Sequence, residues 1–159
     1  MVEYDPIGTI SSPYEADAPF QPVPDAGDFA LELEPEFADG LDRLAAFTYA
    51  YVLFHLDRAR DFSLSVRPPW RDGTEVGLFA TRSPERPNPI GLSVVRIRAV
   101  GDARVEISPI DTFDGTPLLD VKPYVDGLDA KSDANVGWID LDAAADQEHL
   151  SYHVKGIPH

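Results

Sequence analysis

The sequence predicts a mainly β fold, a single-domain antiparallel β-barrel with one or two short helices, and three observations lead there. Short apolar runs alternate with Pro, Gly and Asp clusters along the 159 residues, and the 15 prolines are spread through the chain rather than gathered in one linker. Such punctuation favours strands joined by turns. Between Leu92 and Ile110, Val95, Ile97 and Ala99 alternate with Arg96 and Arg98, Gly101 and Asp102 follow, and Val105 and Ile107 resume the alternation. A period of two on both sides of a turn marks a hairpin. Long helical periods are few, and strands with little helix between them pack most simply as a closed or nearly closed antiparallel barrel.

In chain order, the early strand candidates are Val2 to Ile10, Phe29 to Leu33, Ala46 to Leu56, Leu64 to Val66 and Val76 to Ala80. Phe37, Leu41 and Leu44 recur at helical spacing and predict one short helix, which Gly40 weakens. A second helix is expected near Leu141 to Leu150, where Asp140 or Asp142 offers a cap to an Ala-rich turn.

The charge balance narrows the function classes. The chain holds 28 acidic against 13 basic residues, with 19 Asp, 10 Arg and only 3 Lys, for a formal net charge of -15. An Asp-rich, Lys-poor surface suits a protein solvated in high salt, and it opposes nonspecific nucleic-acid binding, which relies on cations neutralising phosphates. Any RNA contact must use a local patch. Six of the ten arginines, Arg58, Arg60, Arg67, Arg71, Arg82 and Arg86, fall within 29 residues. The absence of cysteine excludes disulfides and thiolate metal sites, and no apolar run approaches the ~20 residues of a membrane helix. A cytoplasmic protein without membrane partners is expected.

Two stretches carry chemistry. In Thr81 to Gly91, Pro84, Pro87 and Pro89 fix φ and remove backbone donors, so neither ladder nor helix runs through and an ordered loop or edge is expected. Arg82, Arg86 and Asn88 sit on that stiff frame, which suits recognition of carboxylates, phosphates or nucleobase edges. A proline-rich turn with solvated arginines is the plainer alternative. In Ile110 to Tyr124, Asp114-Gly115-Thr116-Pro117 has turn chemistry, and Asp111, Asp114 and Asp120 are near enough in sequence for one to serve as a general base. A turn aspartate with two solvated acids is the plainer alternative there. No metal site is expected: His149 and His153 are two ligands only, and His55 ends an apolar run. No nucleophile elbow, P-loop or dinucleotide fingerprint is present.

These stretches together resemble the TsaA-like family, β-barrel S-adenosylmethionine-dependent tRNA methyltransferases acting on N6-threonylcarbamoyladenosine beside the anticodon. The likeness runs through IGTISSPY (Ile7 to Tyr14), Pro19-Phe20-Gln21-Pro22, Gly40-Leu41 with Ala46-Phe47, VRPP (Val66 to Pro69), GLFATRSPERPNPIGLSVV (Gly77 to Val95) and DTFDGTPLLDVKPY (Asp111 to Tyr124), about three quarters of the chain. It implies S-adenosyl-L-methionine as the methyl donor, held near a homodimer interface by Gln21, Pro22, Asp57, Arg58, Arg82, Ile110, Asp111, Thr112, Phe113 and Asp114. It further implies a tRNA anticodon loop as partner, met by Arg86, Asn88, Lys122 and Tyr124; because proton removal from a urea-like N6 assists attack, Asp111 or Asp114 is the expected base or orienter. Asp57-Arg58 stands where many members have His-Gln or His-Arg, with His55 on the same strand face by alternation. Ser11 stands where a basic residue is common. The barrel core is expected over residues 1–125, and residues 126–159 as an extension packing on the barrel or on a partner, the short form without an added domain. A methyltransferase of a small metabolite, or a donor-binding module without catalysis, are the rival readings.

Overall fold

The computed structural model describes residues 1–18, 27–68 and 73–140. Six strands close into an antiparallel barrel in the order β1 (Gly8–Ser11), β2 (Ala30–Leu33), β7 (Arg104–Ile107), β6 (Ile90–Val100), β3 (Tyr49–His55) and β8 (Thr116–Pro123). Closure leaves none of the six with an unpaired edge. Two further strands, β4 (Ser65–Val66) and β5 (Val76–Gly77), form a separate small ribbon.

Alternation fills the barrel. Along β3, Ala50, Val52 and Phe54 are buried while Tyr49, Tyr51 and Leu53 face outward. Ile10 pairs with Leu31 and Leu31 with Val105, a buried row that joins Val52, Val95, Ile107 and Leu118 in one apolar cluster. β3 pairs along its length with β6 and with β8, which makes it the spine of the barrel. Gly91 of β6 lies opposite Phe54, and a Cβ there would overlap the phenyl ring, so the glycine makes room for a buried aromatic.

Several expected elements are corrected. β1 begins at Gly8 rather than Val2, since Pro6 and the exposed residues before it offer no buried face. The helix expected around Phe37 is two 3-10 turns, Pro35–Leu41 and Leu44–Ala46, separated by Arg43 at φ 65°. Leu41 and Leu44 still plug the core, whereas Phe37 stays exposed. Val76 to Ala80 is strand only to Gly77; Leu78–Ala80 is a 3-10 turn that sends Leu78 into the interior. β8 was not among the expected strands because Pro117, Asp120 and Pro123 interrupt its pattern. Pro117 is tolerated where β8 pairs with β1 alone, before pairing with β3 starts at Leu118. The helix expected at Leu141 to Leu150, like His149 and His153, lies outside the described residues.

The outer face of β6 and β3 is apolar. Ile90, Leu92 and Val94 point outward, Leu92 at 60% exposure, opposite His55, Leu53 and Tyr51. Tyr49 and Tyr51 both meet the Tyr124 ring at the far end of that face.

Candidate functional site

Antiparallel order brings four connections to one end of the barrel. The segments leaving β1 and β3 and those entering β6 and β8 meet there, so residues distant in sequence become neighbours. The first and last are stitched tightly. Ser12 donates its N–H to Oδ1 of Asp114 (3.1 Å) and its hydroxyl to the Thr112 carbonyl (2.7 Å). Asp114 N–H donates to the Tyr14 carbonyl (2.7 Å), and Gly115 N–H to that of Ile10 (2.8 Å). Gly115 takes φ 81°, the left-handed conformation the Asp-Gly turn requires.

Arg58 joins a third segment to these. Its Nη1 donates to the Glu15 carbonyl (2.7 Å), and its guanidinium carbon lies 4.0 Å from the centroid of the Phe113 ring. Leu56 N–H then reaches the Pro89 carbonyl (2.7 Å), tying the end of β3 to the proline-rich loop. Asp57 and His55 are exposed beside this junction.

The loop from Thr81 to Pro89 draws on side-chain donors beside the backbone N–H groups of Thr81 and Ser83, since its prolines supply none. Thr81 Oγ1 donates to the Leu78 carbonyl (2.7 Å), and Trp138 Nε1 to that of Ala80 (2.8 Å). Arg86 Nη1 donates to the carbonyls of Thr81 (2.9 Å) and Ser83 (3.1 Å). Arg82 is exposed, and its charge acts on Asp111. Asn88 is exposed on the same loop. Strand β6 takes over at Ile90, so Ile90 and Gly91 belong to the barrel rather than to the loop.

Asp111 is the electrostatic centre. Burial pushes its carboxyl up to about 6, against the opposing pull of its own backbone N–H and of Arg82. The Tyr14 phenol is raised by burial and then by the charge of Asp111, which places the two groups within electrostatic reach. The Tyr14 hydroxyl and the Thr112 Oγ1 are buried without a hydrogen-bond partner among the described residues, and Thr112 is only 3% exposed. Buried polar atoms are rarely left so, and a bound polar ligand would satisfy them.

The structure therefore brings Arg58, Arg82, Ile110, Asp111, Thr112, Phe113 and Asp114 to one end, with Asp57 beside them. Asp114 is an exposed turn residue whose carboxylate is engaged by Ser12, whereas Asp111 is half-buried. Asp120 and Lys122 pair with each other at 2.7 Å on β8. Lys122 lies six strand positions beyond Thr116, roughly 20 Å along the strand, so within one chain Lys122 and Tyr124 are at the opposite end from Asp111. Gln21 and Pro22 lie outside the described residues, as does Arg71. Sequence reasoning missed Ser12, Tyr14 and Trp138 as parts of this site. A Ser-Pro-Tyr turn leaving a strand was the available signal for the first two.

The family model described as tRNA-methyltransferase O N-terminal domain matches residues 9–130. A protein of Archaeoglobus fulgidus named "Probable S-adenosyl-L-methionine-binding protein" is 40% identical over 145 residues, covering 88% of this chain and 38% of that protein. The tRNA (adenine(37)-N6)-methyltransferase of Escherichia coli is 35% identical over 156 residues, covering 91% of this chain and 66% of its own length. A crystal structure of TrmO from Pseudomonas aeruginosa superposes with a TM-score of 0.72 at 37% identity, covering 88% of this chain and 63% of that one. The chain spans less than two thirds of each of these three relatives.

Proposed function

Because the chain belongs to the tRNA-methyltransferase O N-terminal domain family, we propose that it is an S-adenosylmethionine-dependent tRNA methyltransferase that methylates N6-threonylcarbamoyladenosine beside the anticodon. The observation that carries the reading is Asp111, a half-buried carboxylate whose pKa burial raises and on which the charge of the exposed Arg82 acts, at the meeting point of four loops.

The residues fit the donor. Arg82 offers a planar fork to its carboxylate, and the Tyr14 and Thr112 hydroxyls offer unmet hydrogen-bonding capacity beside Asp111. S-adenosylmethionine supplies an electrophilic methyl group on a sulfonium centre. Asp111 accepts the N6 proton of the substrate, a step that matters because a carbamoylated N6 is urea-like and its lone pair is delocalised. Asp114, anchored by Ser12, holds the turn that orients Asp111. Arg58 fixes the Phe113 wall and the Glu15 backbone.

The protein acts as a homodimer in this reading, in the cytoplasm. The outward row of Ile90, Leu92 and Val94 is the surface a second copy would cover. Pairing through that face gives Lys122 and Tyr124 a route to a partner's site that they lack in their own chain. A monomer in sedimentation equilibrium at micromolar concentration would refute the pairing. The anticodon loop, with Asn88 among its contacts, is met locally at this end while the acidic remainder of the surface repels nonspecific RNA.

Mass spectrometry of tRNA nucleosides from cells with and without the gene tests the reaction. The methylated threonylcarbamoyladenosine is expected to disappear and its unmethylated precursor to accumulate. If the methylated nucleoside persists at its normal level with every paralogue removed, the tRNA reading fails and a small-molecule acceptor or a non-catalytic donor-binding role takes its place.

A further inference from the structure

We propose that Arg86 and Trp138 are positioning residues that set the direction of Arg82, and that they do so by supplying the hydrogen-bond donors which the prolines of the loop cannot. The proposal rests on the reading of Arg82 as a donor-binding residue.

Backbone carbonyls that leave solvent need donors, and a proline-rich loop is short of them. Here the deficit is met from side chains at chosen points. The carbonyls on either side of Arg82, those of Thr81 and Ser83, are both held by the single Nη1 of Arg86, at 2.9 and 3.1 Å. One nitrogen thus holds the peptide plane that enters Arg82 and the one that follows Ser83, while the Ser83 N–H, donating to Thr81 Oγ1 at 3.2 Å, holds the plane between them. Arg86 is steadied in turn by the Phe79 ring, whose centroid lies 5.8 Å from its guanidinium carbon. Trp138 grips the next carbonyl upstream, that of Ala80, at 2.8 Å.

Trp138 comes from beyond β8, so the segment after the barrel reaches back to the root of the ligand loop. With Nη1 engaged twice, Arg86 acts on the loop, and Arg82 is left as the arginine whose charge acts on Asp111. Two arginines of one short motif thereby divide the work, one for the frame and one for the ligand.

The test uses the full chain, with S-adenosylmethionine titrated calorimetrically into Arg86→Met, Trp138→Phe, Arg82→Lys and the Arg82→Lys/Arg86→Met double variant. Arg86→Met is expected to raise the donor Kd about tenfold, and Trp138→Phe to raise it severalfold, both with unchanged circular dichroism. In the Arg82→Lys background the Arg86→Met change should add little, because it acts through residue 82. A full additional loss in the double variant would overturn the proposal. So would an Arg86→Met protein with wild-type donor affinity but a weaker, less salt-dependent grip on tRNA, the behaviour of a direct phosphate contact. If Arg86→Met does not fold, Trp138→Phe, which removes one N–H and keeps an aromatic ring, decides in the same way. Arg82→Lys with unchanged donor affinity would remove the donor-site reading itself, and the proposal with it; Arg82→Lys weakened with both framing variants unaffected would remove the proposal alone.

Discussion

Asp111→Asn is expected to lower kcat for tRNA methylation by about 100- to 10,000-fold, the usual span for removing a general base, while donor affinity stays close to wild type. Asparagine keeps the shape and loses the basicity. The pH profile supplies the sharper reading. A base must be deprotonated to act, so wild-type kcat/KM should rise with pH through about 6 and then level off. That limb should be missing from the residual activity of the variant.

Stability should move in the opposite sense. The carboxyl is raised from 3.8 to about 6, so the folded chain retains a proton that the unfolded chain has released. The stabilisation linked to that proton is complete below about 4, declines as pH rises, and is gone above about 6. Two pKa units correspond to roughly 3 kcal/mol at most. Asn should abolish this dependence and melt higher than wild type at neutral pH. An Asp111→Asn enzyme with normal turnover, or one that keeps the acidic limb, would transfer the role of base to another group.

Much of the barrel was legible because its logic is local. The β6 and β7 hairpin shows in the alternation of Val95, Ile97, Val105 and Ile107, and β3 in the apolar run from Ala46 to Leu56, of which Tyr49 to His55 is strand and Ala46 ends a 3-10 turn. β8 was hidden because Pro117 breaks a pattern that only its pairing with β1 alone explains. The two 3-10 turns share helical spacing with an α-helix, and the left-handed Arg43 that divides them leaves no mark in composition. Strand order depends on closure, which no single segment encodes.

The site divides along the same line. Three prolines announce the rigid loop, but Arg82 and Arg86 are alike in type and differ only in which carbonyls lie beside them. Asp111 and Asp114 are likewise indistinguishable by residue type. The Ser12 N–H on one and burial on the other tell them apart. Tyr14 joins the site because β1 and β8 are paired antiparallel, a long-range fact that brings the start of the chain to the Asp111 loop.

Arg82→Ala is expected to take donor binding below calorimetric detection. Truncating one partner of a charge-assisted pair costs about 3 kcal/mol or more, a loss of roughly a hundredfold or more in Kd. Unchanged affinity would take Arg82 out of the donor site. A second consequence separates a binding role from a purely electrostatic one. Arg82 now pulls the Asp111 carboxyl down, so its removal should raise that group further and displace the acidic limb of the residual activity to higher pH. Arg82→Lys separates the two effects, because it keeps the charge and loses the planar fork. Its limb should stay near the wild-type position while its donor affinity falls. If Arg82→Lys keeps both the wild-type limb and the wild-type donor affinity while Arg82→Ala loses both, geometry at residue 82 is irrelevant and only its charge matters. If only the affinity splits, the loop was built to aim a guanidinium, and the cationic field on Asp111 follows from where that guanidinium has to be.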